Sequence, residues 1–346
     1  MRQIAVIAGD GIGKEVIPAG IRVLSSVCDL EFHELGWGSD LYLRTGAMMP
    51  EDGLQVLEDF DAIYLGAVGV PEVPDHVTLW GLLLPIRKTL ELSVNVRPVN
   101  LLRGVRGPLA GRGPDDIDML FIRENTEGEY SGAGGRVHTG TPLEVAVEVP
   151  VFTRAAIERT VRYAFDRARE RSGSLTSVTK SNASRYTYVL WDEVVEDVHQ
   201  EYADVVMDRV LVDAMAARMV LRPDTVDVVV GSNLFADILT DLGAALQGGL
   251  GLAASGNIDP TGRHPSLFEP VHGSAPDIAG KGVANPMGAI LSGAMMLRHL
   301  GELSAAQRIE AAVEQVTERG DALTADLGGT ASTAEVTDAV MAAVAA

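Results

Sequence analysis

Apolar runs of strand length alternate with segments of helical spacing along nearly the whole chain. Ile4–Ala8 reads as a strand, Gly9–Gly13 as a turn and Glu15–Val27 as a helix. Ala62–Leu65 and Met119–Ile122 read as buried strands, the second stopped by the polar run Arg123–Glu129. The alternation continues through helix Arg154–Arg171, strand Leu175–Thr179, helix Tyr186–Glu201, strand Val205–Arg209, helix Asp213–Leu221, strand Val226–Val230 and helix Ala236–Leu246. Pro286–Leu300 and Ala305–Arg319 are further helices, and Ser332 with Glu335 forms a capping-box pattern opening a last helix to Ala345. Such a rhythm predicts an α/β protein with a largely parallel sheet. Two stretches break it. Gly104–Asp116, rich in Gly and Pro, reads as a loop, and Ser131–Val149 alternates without helical spacing, as a projecting β-hairpin and subunit contact would.

Charge narrows the function classes. Among 346 residues, 28 Lys+Arg stand against 48 Asp+Glu, a net charge of −20. A chain this acidic, with no basic run, suits neither nucleic acid nor anionic membrane. An anionic substrate would need local cations gathered against that field. Cys28 is the only cysteine, so no intrachain disulfide and no Cys-based zinc site can form. No apolar run reaches the ~18–20 residues of a membrane span. Met1–Ile4 enters a strand-like run at once, without a signal-peptide core, so a cytoplasmic location is expected.

Several residue patterns carry candidate chemistry. Gly9-Asp10-Gly11-Ile12-Gly13 lies between strand and helix, but Lys14 stands where a dinucleotide fingerprint needs its third Gly. A tight turn needing glycine freedom explains the segment better. Asp237 and Asp241, four residues apart on a helix, share one face, where a hard divalent cation would turn their repulsion into binding; a solvated helix face is the plainer reading. Asp213, in an apolar run, reads as buried and in need of a partner. Arg87, Arg97 and Arg123 could clamp a di- or tricarboxylate through bidentate forks, though any one alone fits a surface arginine. Lys180 could be a base and Tyr130 an acid, or an ordinary surface lysine and a half-buried ring. The run His272-Gly273-Ser274-Ala275-Pro276-Asp277-Ile278, continuing to Asn285-Pro286, combines small residues that admit a ligand to the backbone with a carboxylate for ribose hydroxyls.

Taken together, Gly9–Gly13, Arg123-Glu124-Asn125-Thr126-Glu127-Gly128-Glu129-Tyr130, Asp237 with Asp241, and the 272–286 run resemble the metal-dependent β-decarboxylating dehydrogenases. These are the isopropylmalate, isocitrate, homoisocitrate and tartrate/D-malate dehydrogenases. The resemblance spans nearly the whole chain. It implies an α/β, isopropylmalate/isocitrate dehydrogenase-like two-domain fold with a parallel or mixed sheet core, not a Rossmann fold. Residues 1–95 plus 249–346 would form the first, cofactor-side domain. Residues 96–248 would form the second, with an arm near 131–149. It implies that Arg87, Arg97 and Arg123 hold substrate carboxylates and that Tyr130 and Lys180 are the acid–base pair. Asp213, Asp237 and Asp241 would bind Mg²⁺ or Mn²⁺. A homodimer with shared active sites is implied, Lys180 and Asp213 coming from the neighbouring chain. His272, Gly273, Ser274, Ala275, Asp277, Ile278 and Asn285 would hold the adenosine half of a nicotinamide cofactor. The NADP-using branch places Lys-Tyr where Asp277-Ile278 stand, and a carboxylate repels a 2′-phosphate, so NAD is expected. The resemblance leaves a requirement for K⁺ open.

Within the family, isopropylmalate members carry Glu where Leu79 stands and have a shorter run to the Arg. The segment Pro74–Arg87, with Trp37-Gly38-Ser39-Asp40, Met48-Met49-Pro50 and Gly128–Gly132, looks like the tartrate/D-malate branch. Leu79 and Trp80 are expected to fill the space a γ-substituent would otherwise occupy, leaving room for a four-carbon hydroxy-diacid such as D-malate or tartrate. The alternatives are a 3-isopropylmalate dehydrogenase with a larger pocket, and a non-catalytic paralogue, which would have lost part of this polar set.

Overall fold

In the computed structural model, which describes residues 1–346, twelve strands alternate with helices. They are β1 (Arg2–Gly9), β2 (Leu30–Glu34), β3 (Ala62–Ala67), β4 (Val94–Asn100), β5 (Asp118–Glu124), β6 (Gly134–Val137), β7 (Val145–Glu148), β8 (Ser174–Thr179), β9 (Val206–Leu211), β10 (Val228–Gly231), β11 (Ala254–Ile258) and β12 (Ser266–Pro270). Ten of them form one sheet in the order β2-β1-β3-β12-β11-β4-β5-β10-β8-β9. The sheet has a parallel half at each end: β2-β1-β3-β12 and β5-β10-β8-β9. Antiparallel pairings through β11 and β4 join them, so the sheet is mixed. The boundary expected between residues 95 and 96 falls inside β4.

The strands near the middle of each half are covered on both faces, which explains their unbroken apolar runs. On β1, Ile4 and Val6 belong to one core cluster while Ala5 and Ile7 belong to another. On β3, Ala62 and Tyr64 divide from Ile63 and Leu65 in the same way. Helices Gly13–Ser25, Met287–His299, Leu303–Arg319 and Thr333–Ala345 supply apolar residues to the first cluster. The last helix opens with the expected capping box between Ser332 and Glu335. The remaining two strands, β6 and β7, pair antiparallel as a separate hairpin whose residues are all exposed. No helix is long and apolar enough to cross a membrane.

The turn after β1 shows why glycine stands there. Gly9 and Gly11 have φ of 69° and 52°, and a Cβ on Gly11 would come within 2.0 Å of the Ser274 carbonyl oxygen. Close packing lets Ile12 N donate to that carbonyl at 2.8 Å. The turn therefore carries the 272–285 loop.

Candidate active site

A cavity of about 220 Å³ opens where the two halves of the sheet meet. Its walls include Leu79, Leu83, Leu84 and Arg87 from one helical segment, Arg97 from β4 and Arg123 from the end of β5. Tyr130, Asp237, Ser255, Glu269 and His272 complete the polar lining, with Gly273 beside them. The three arginines are 6, 7 and 3% exposed. Buried charge needs compensation, and the site provides it only in part. Arg87 is paired with Glu269 at 2.8 Å, whereas Arg97 (3.2 Å) and Arg123 share the single carboxylate of Asp237. In the cavity wall three guanidiniums thus face two carboxylates, with Asp241 a third acid outside that wall, in a chain whose overall charge is −20. This local surplus is what an anionic ligand requires.

Neutral groups aim the arginines. Arg97 donates to Thr240 Oγ1 at 2.7 Å, and Arg123 donates through Nε and Nη2 to Asn233 Oδ1 at 3.0 and 2.6 Å. Thr240, Asn233 and Asp237 all lie on helix Asn233–Leu246, so one helix sets two arms of the clamp. Burial pushes Asp237 upward, but Arg123, Arg97 and Arg87 outweigh it and hold the carboxyl below the usual range. Burial and the charge of Arg97 push Arg123 down, opposed by Asp237. Tyr130 donates to Asp237 Oδ2 at 3.1 Å and lies under the Arg123 guanidinium, 5.6 Å from ring centroid to Cζ. Burial and Asp237 raise the phenol's pKa, keeping its proton in place at neutral pH.

Asp241 sits one turn beyond Asp237 at the exposed edge of the site. Partial loss of hydration and the adjacent Asp237 charge push it above the usual carboxylate range despite Arg97. Two oxygen donors one helical turn apart, one of them raised by its neighbour's charge, fit a hard divalent cation. No group of three ligating side chains assembles within one chain. Asp213, expected to be buried, is exposed instead: it opens helix Val212–Leu221 on the surface, with a side chain 67% exposed. Its partner is Lys180, at 2.6 Å, which lowers its pKa. Both lie outside the cavity.

The 272–285 run is a loop beside the cavity. Burial lowers the pKa of His272, leaving a neutral imidazole whose Nε2 is buried without a partner. Ala275 holds a positive φ of 41°, and Asp277 is exposed. Glu15 accepts from Gly280 N and Gly282 N at 2.6 and 2.8 Å, and Asn285 donates to Asp326 at 3.1 Å. These contacts fix the loop's shape.

This chain belongs to the isocitrate/isopropylmalate dehydrogenase family. Residues 3–340 match the family described as "Isocitrate/isopropylmalate dehydrogenase". A probable tartrate dehydrogenase/decarboxylase of Agrobacterium vitis is 54% identical, with 99% of this chain and 98% of that protein covered. The D-malate dehydrogenase [decarboxylating] of Escherichia coli is 50% identical, with 98% and 97% covered. A 3-isopropylmalate dehydrogenase of Thermobifida fusca is also 50% identical, with 97% and 96% covered. The crystal structure of isocitrate dehydrogenase from Methylococcus capsulatus superposes with a TM-score of 0.92 at 36% identity, each chain covered to 99%.

Within that family frame, the cavity gathers Arg87, Arg97, Arg123, Tyr130, Asp237, His272 and Gly273, and leaves Lys180 and Asp213 together elsewhere. Trp80, expected to fill the cavity with Leu79, does not line it. Two residues escaped the sequence reading. Glu269, an acid interrupting the apolar run Ser266–Pro270, neutralises Arg87 and also accepts from Asn257 at 2.8 Å. Asp10 is a buried carboxylate accepting from Ser39 N, Ser39 Oγ and Gly69 N at 3.0, 2.6 and 2.8 Å. It ties the turn after β1 to the start of helix Ser39–Thr45 and to the loop after β3.

Proposed function

We propose that the chain is an NAD- and divalent-metal-dependent dehydrogenase. It oxidises a small 2-hydroxy dicarboxylic acid, D-malate or tartrate, with loss of the β-carboxyl as CO₂. The observation that carries this reading is the cluster of three buried arginines, with Tyr130, closed on one side by Leu79, Leu83 and Leu84. Guanidinium forks suit two carboxylates, and a cavity of about 220 Å³ suits a small diacid. Relatives named for tartrate and D-malate support it. A second reading, 3-isopropylmalate oxidation, is favoured by the relative of that name and would use the same arginines.

Arg87, Arg97 and Arg123 would hold the substrate carboxylates. Asp237 and Asp241 would hold Mg²⁺ or Mn²⁺ together with Asp213 of a second copy, whose Lys180 would arrive with it. A bound cation would supply polarisation of the hydroxyl and keto oxygens, and a bound nicotinamide would supply the hydride acceptor. Lys180 takes the hydroxyl proton. After CO₂ leaves, Tyr130 donates a proton to the carbon that bore the lost carboxylate. Asp277 would accept from the ribose hydroxyls of NAD.

Homodimerisation is part of this proposal. Ile238, between the two aspartates on their helix, is 58% exposed, and Val137, Val145 and Val147 of the hairpin are 57, 48 and 54% exposed. Apolar surface concentrated beside an incomplete site fits coverage by a second copy. The two parallel halves of the sheet would then act as the two domains, with the cavity between them.

The test is NADH formation with Mn²⁺ across stereoisomers of malate, tartrate, isocitrate and 3-isopropylmalate. The proposal expects the highest kcat/KM for D-malate or a tartrate isomer and no turnover in chelator. A preference for 3-isopropylmalate selects the second reading. Full activity in chelator overturns the metal assignment.

A further inference from the structure

The helical segment before Arg87 is not uniform. An α-helical turn (Asp75–Thr78) passes into a π-helical turn (Leu79–Leu83) and back to α-helix (Leu84–Thr89). A π-turn inserts a residue and rotates the side chains around it. Leu79, Leu83, Leu84 and Arg87 line the cavity, while the Trp80 ring is directed onto Gly132. The approach is close: a Cβ on Gly132 would lie 2.4 Å from Trp80 Cη2. Lys88 Nζ stands 4.5 Å from the Trp80 ring centroid and donates to the Ser131 carbonyl at 2.9 Å.

These contacts fall on the short turn that bears Tyr130. Residues Glu129–Ser131 form a single 3₁₀ turn between Gly128 and Gly132, both left-handed at φ 70° and 81°. Gly128 is anchored by paired backbone hydrogen bonds with Val151, at 2.8 and 3.1 Å. The other end is held by Trp80 and Lys88.

We propose that Trp80 and Lys88 clamp the Gly132 end of this turn and so fix the Tyr130 hydroxyl over the arginine cluster, making Trp80 a positioning residue for proton return. The proposal rests on the reading of Tyr130 as the proton donor. Trp80 does not line the arginine cavity, so any effect on the reaction passes through the turn and the hairpin that follows it.

The test is a double-mutant cycle on the full-length enzyme, with NADH formation and thermal melting measured for Trp80→Ala, Trp80→Phe, Lys88→Met, Tyr130→Phe and Trp80→Ala/Tyr130→Phe. A misplacement of about 1 Å can cost about 10²-fold in rate, so Trp80→Ala is expected to lower kcat about 10- to 100-fold. KM for the diacid should stay within about threefold, since the arginines are untouched. Trp80→Phe keeps an aromatic face for Lys88 and should recover most of the turnover. In the Tyr130→Phe background, Trp80→Ala should cost less than about twofold, because the group it positions is already gone. An equal loss in both backgrounds overturns the proposal, as does a raised KM at unchanged kcat. Should Trp80→Ala fail to fold, Lys88→Met decides, with a several-fold fall in kcat that vanishes when Tyr130 is Phe. Tyr130→Phe at wild-type rate removes the donor reading and the clamp with it. A slow Tyr130→Phe beside wild-type turnover for both Trp80→Ala and Lys88→Met removes the clamp alone.

Discussion

Replacing Asp237 by Asn tests the electrostatics of the site from an unusual side. Asp237 is the carboxylate ion-paired with both Arg97 and Arg123, which are 7 and 3% exposed. Under the proposed function it engages the same guanidiniums that a substrate carboxylate would. Breaking a buried ion pair by removing one partner costs about 3–5 kcal/mol. Asp237 is itself 33% exposed and an amide still accepts a hydrogen bond, so about 2–3 kcal/mol is the better figure. For 346 residues, unfolding entropy near 2.1 cal/mol/K per residue sums to about 0.7 kcal/mol/K, so Tm should fall by about 3–4 °C. A dicarboxylate should reverse that fall. Bound at about a hundred times its Kd it stabilises by about 2.7 kcal/mol, or about 4 °C here. The assay is thermal melting in chelator with and without malate or tartrate. Asp237→Asn should gain several degrees from the diacid and the wild type about one or less, because its own aspartate competes. Equal shifts in the two proteins, or a variant melting at the wild-type temperature, would refute the reasoning.

Three further outcomes follow from the geometry. Leu79→Ala cuts back the leucine wall and widens the cavity, and should raise the kcat/KM ratio for 3-isopropylmalate over D-malate by about tenfold; an unchanged ratio places the specificity wall elsewhere. Asp277→Lys with Ile278→Tyr removes the charge facing a 2′-phosphate and should raise NADP⁺ use relative to NAD⁺ by at least about tenfold; an unchanged ratio in coupled assays would remove Asp277 from cofactor selection. Val145→Glu with Val147→Glu puts charge on an exposed apolar hairpin face and should shift the sedimentation profile from dimer to monomer with loss of turnover; an unaltered profile would show that the hairpin is not a contact.

Strands with unbroken apolar runs were legible because both faces of the sheet are covered. β4, β11 and β12 were not, and their residues explain why. Asn95 and Asn257 are fully buried in the middle of the sheet, where Asn95 Nδ2 donates to Ser255 Oγ at 2.7 Å and Asn257 Oδ1 at 3.1 Å. A polar ladder that bonds across strands has no hydrophobic signature along any one of them. β4 also carries Pro98, which weakens a strand reading further. The arginines were legible only as residue types; that they converge depends on β4 and β5 pairing antiparallel, with Arg97 opposite Phe121 and Arg123 opposite Asn95. Bulk alone does not say where a side chain points: Leu79 lines the cavity, whereas the neighbouring Trp80 ring packs on Gly132. Asp213 was misjudged because its apolar neighbours on the helix, Met215 and Met219, are buried while the aspartate at the helix start is not.

Lys180 and Asp213 lie away from the cavity that holds Asp237 and Tyr130, so the account requires two chains per site. Subunit complementation addresses that requirement directly. The Lys180→Met and Asp237→Asn variants, each expected to be inactive alone, are unfolded, mixed in equal amounts and refolded together. Shared sites give every mixed dimer one intact centre, so the mixture should regain about a quarter of wild-type turnover. Sites contained within single chains would leave the mixture as inactive as its components, and that result would contradict the account.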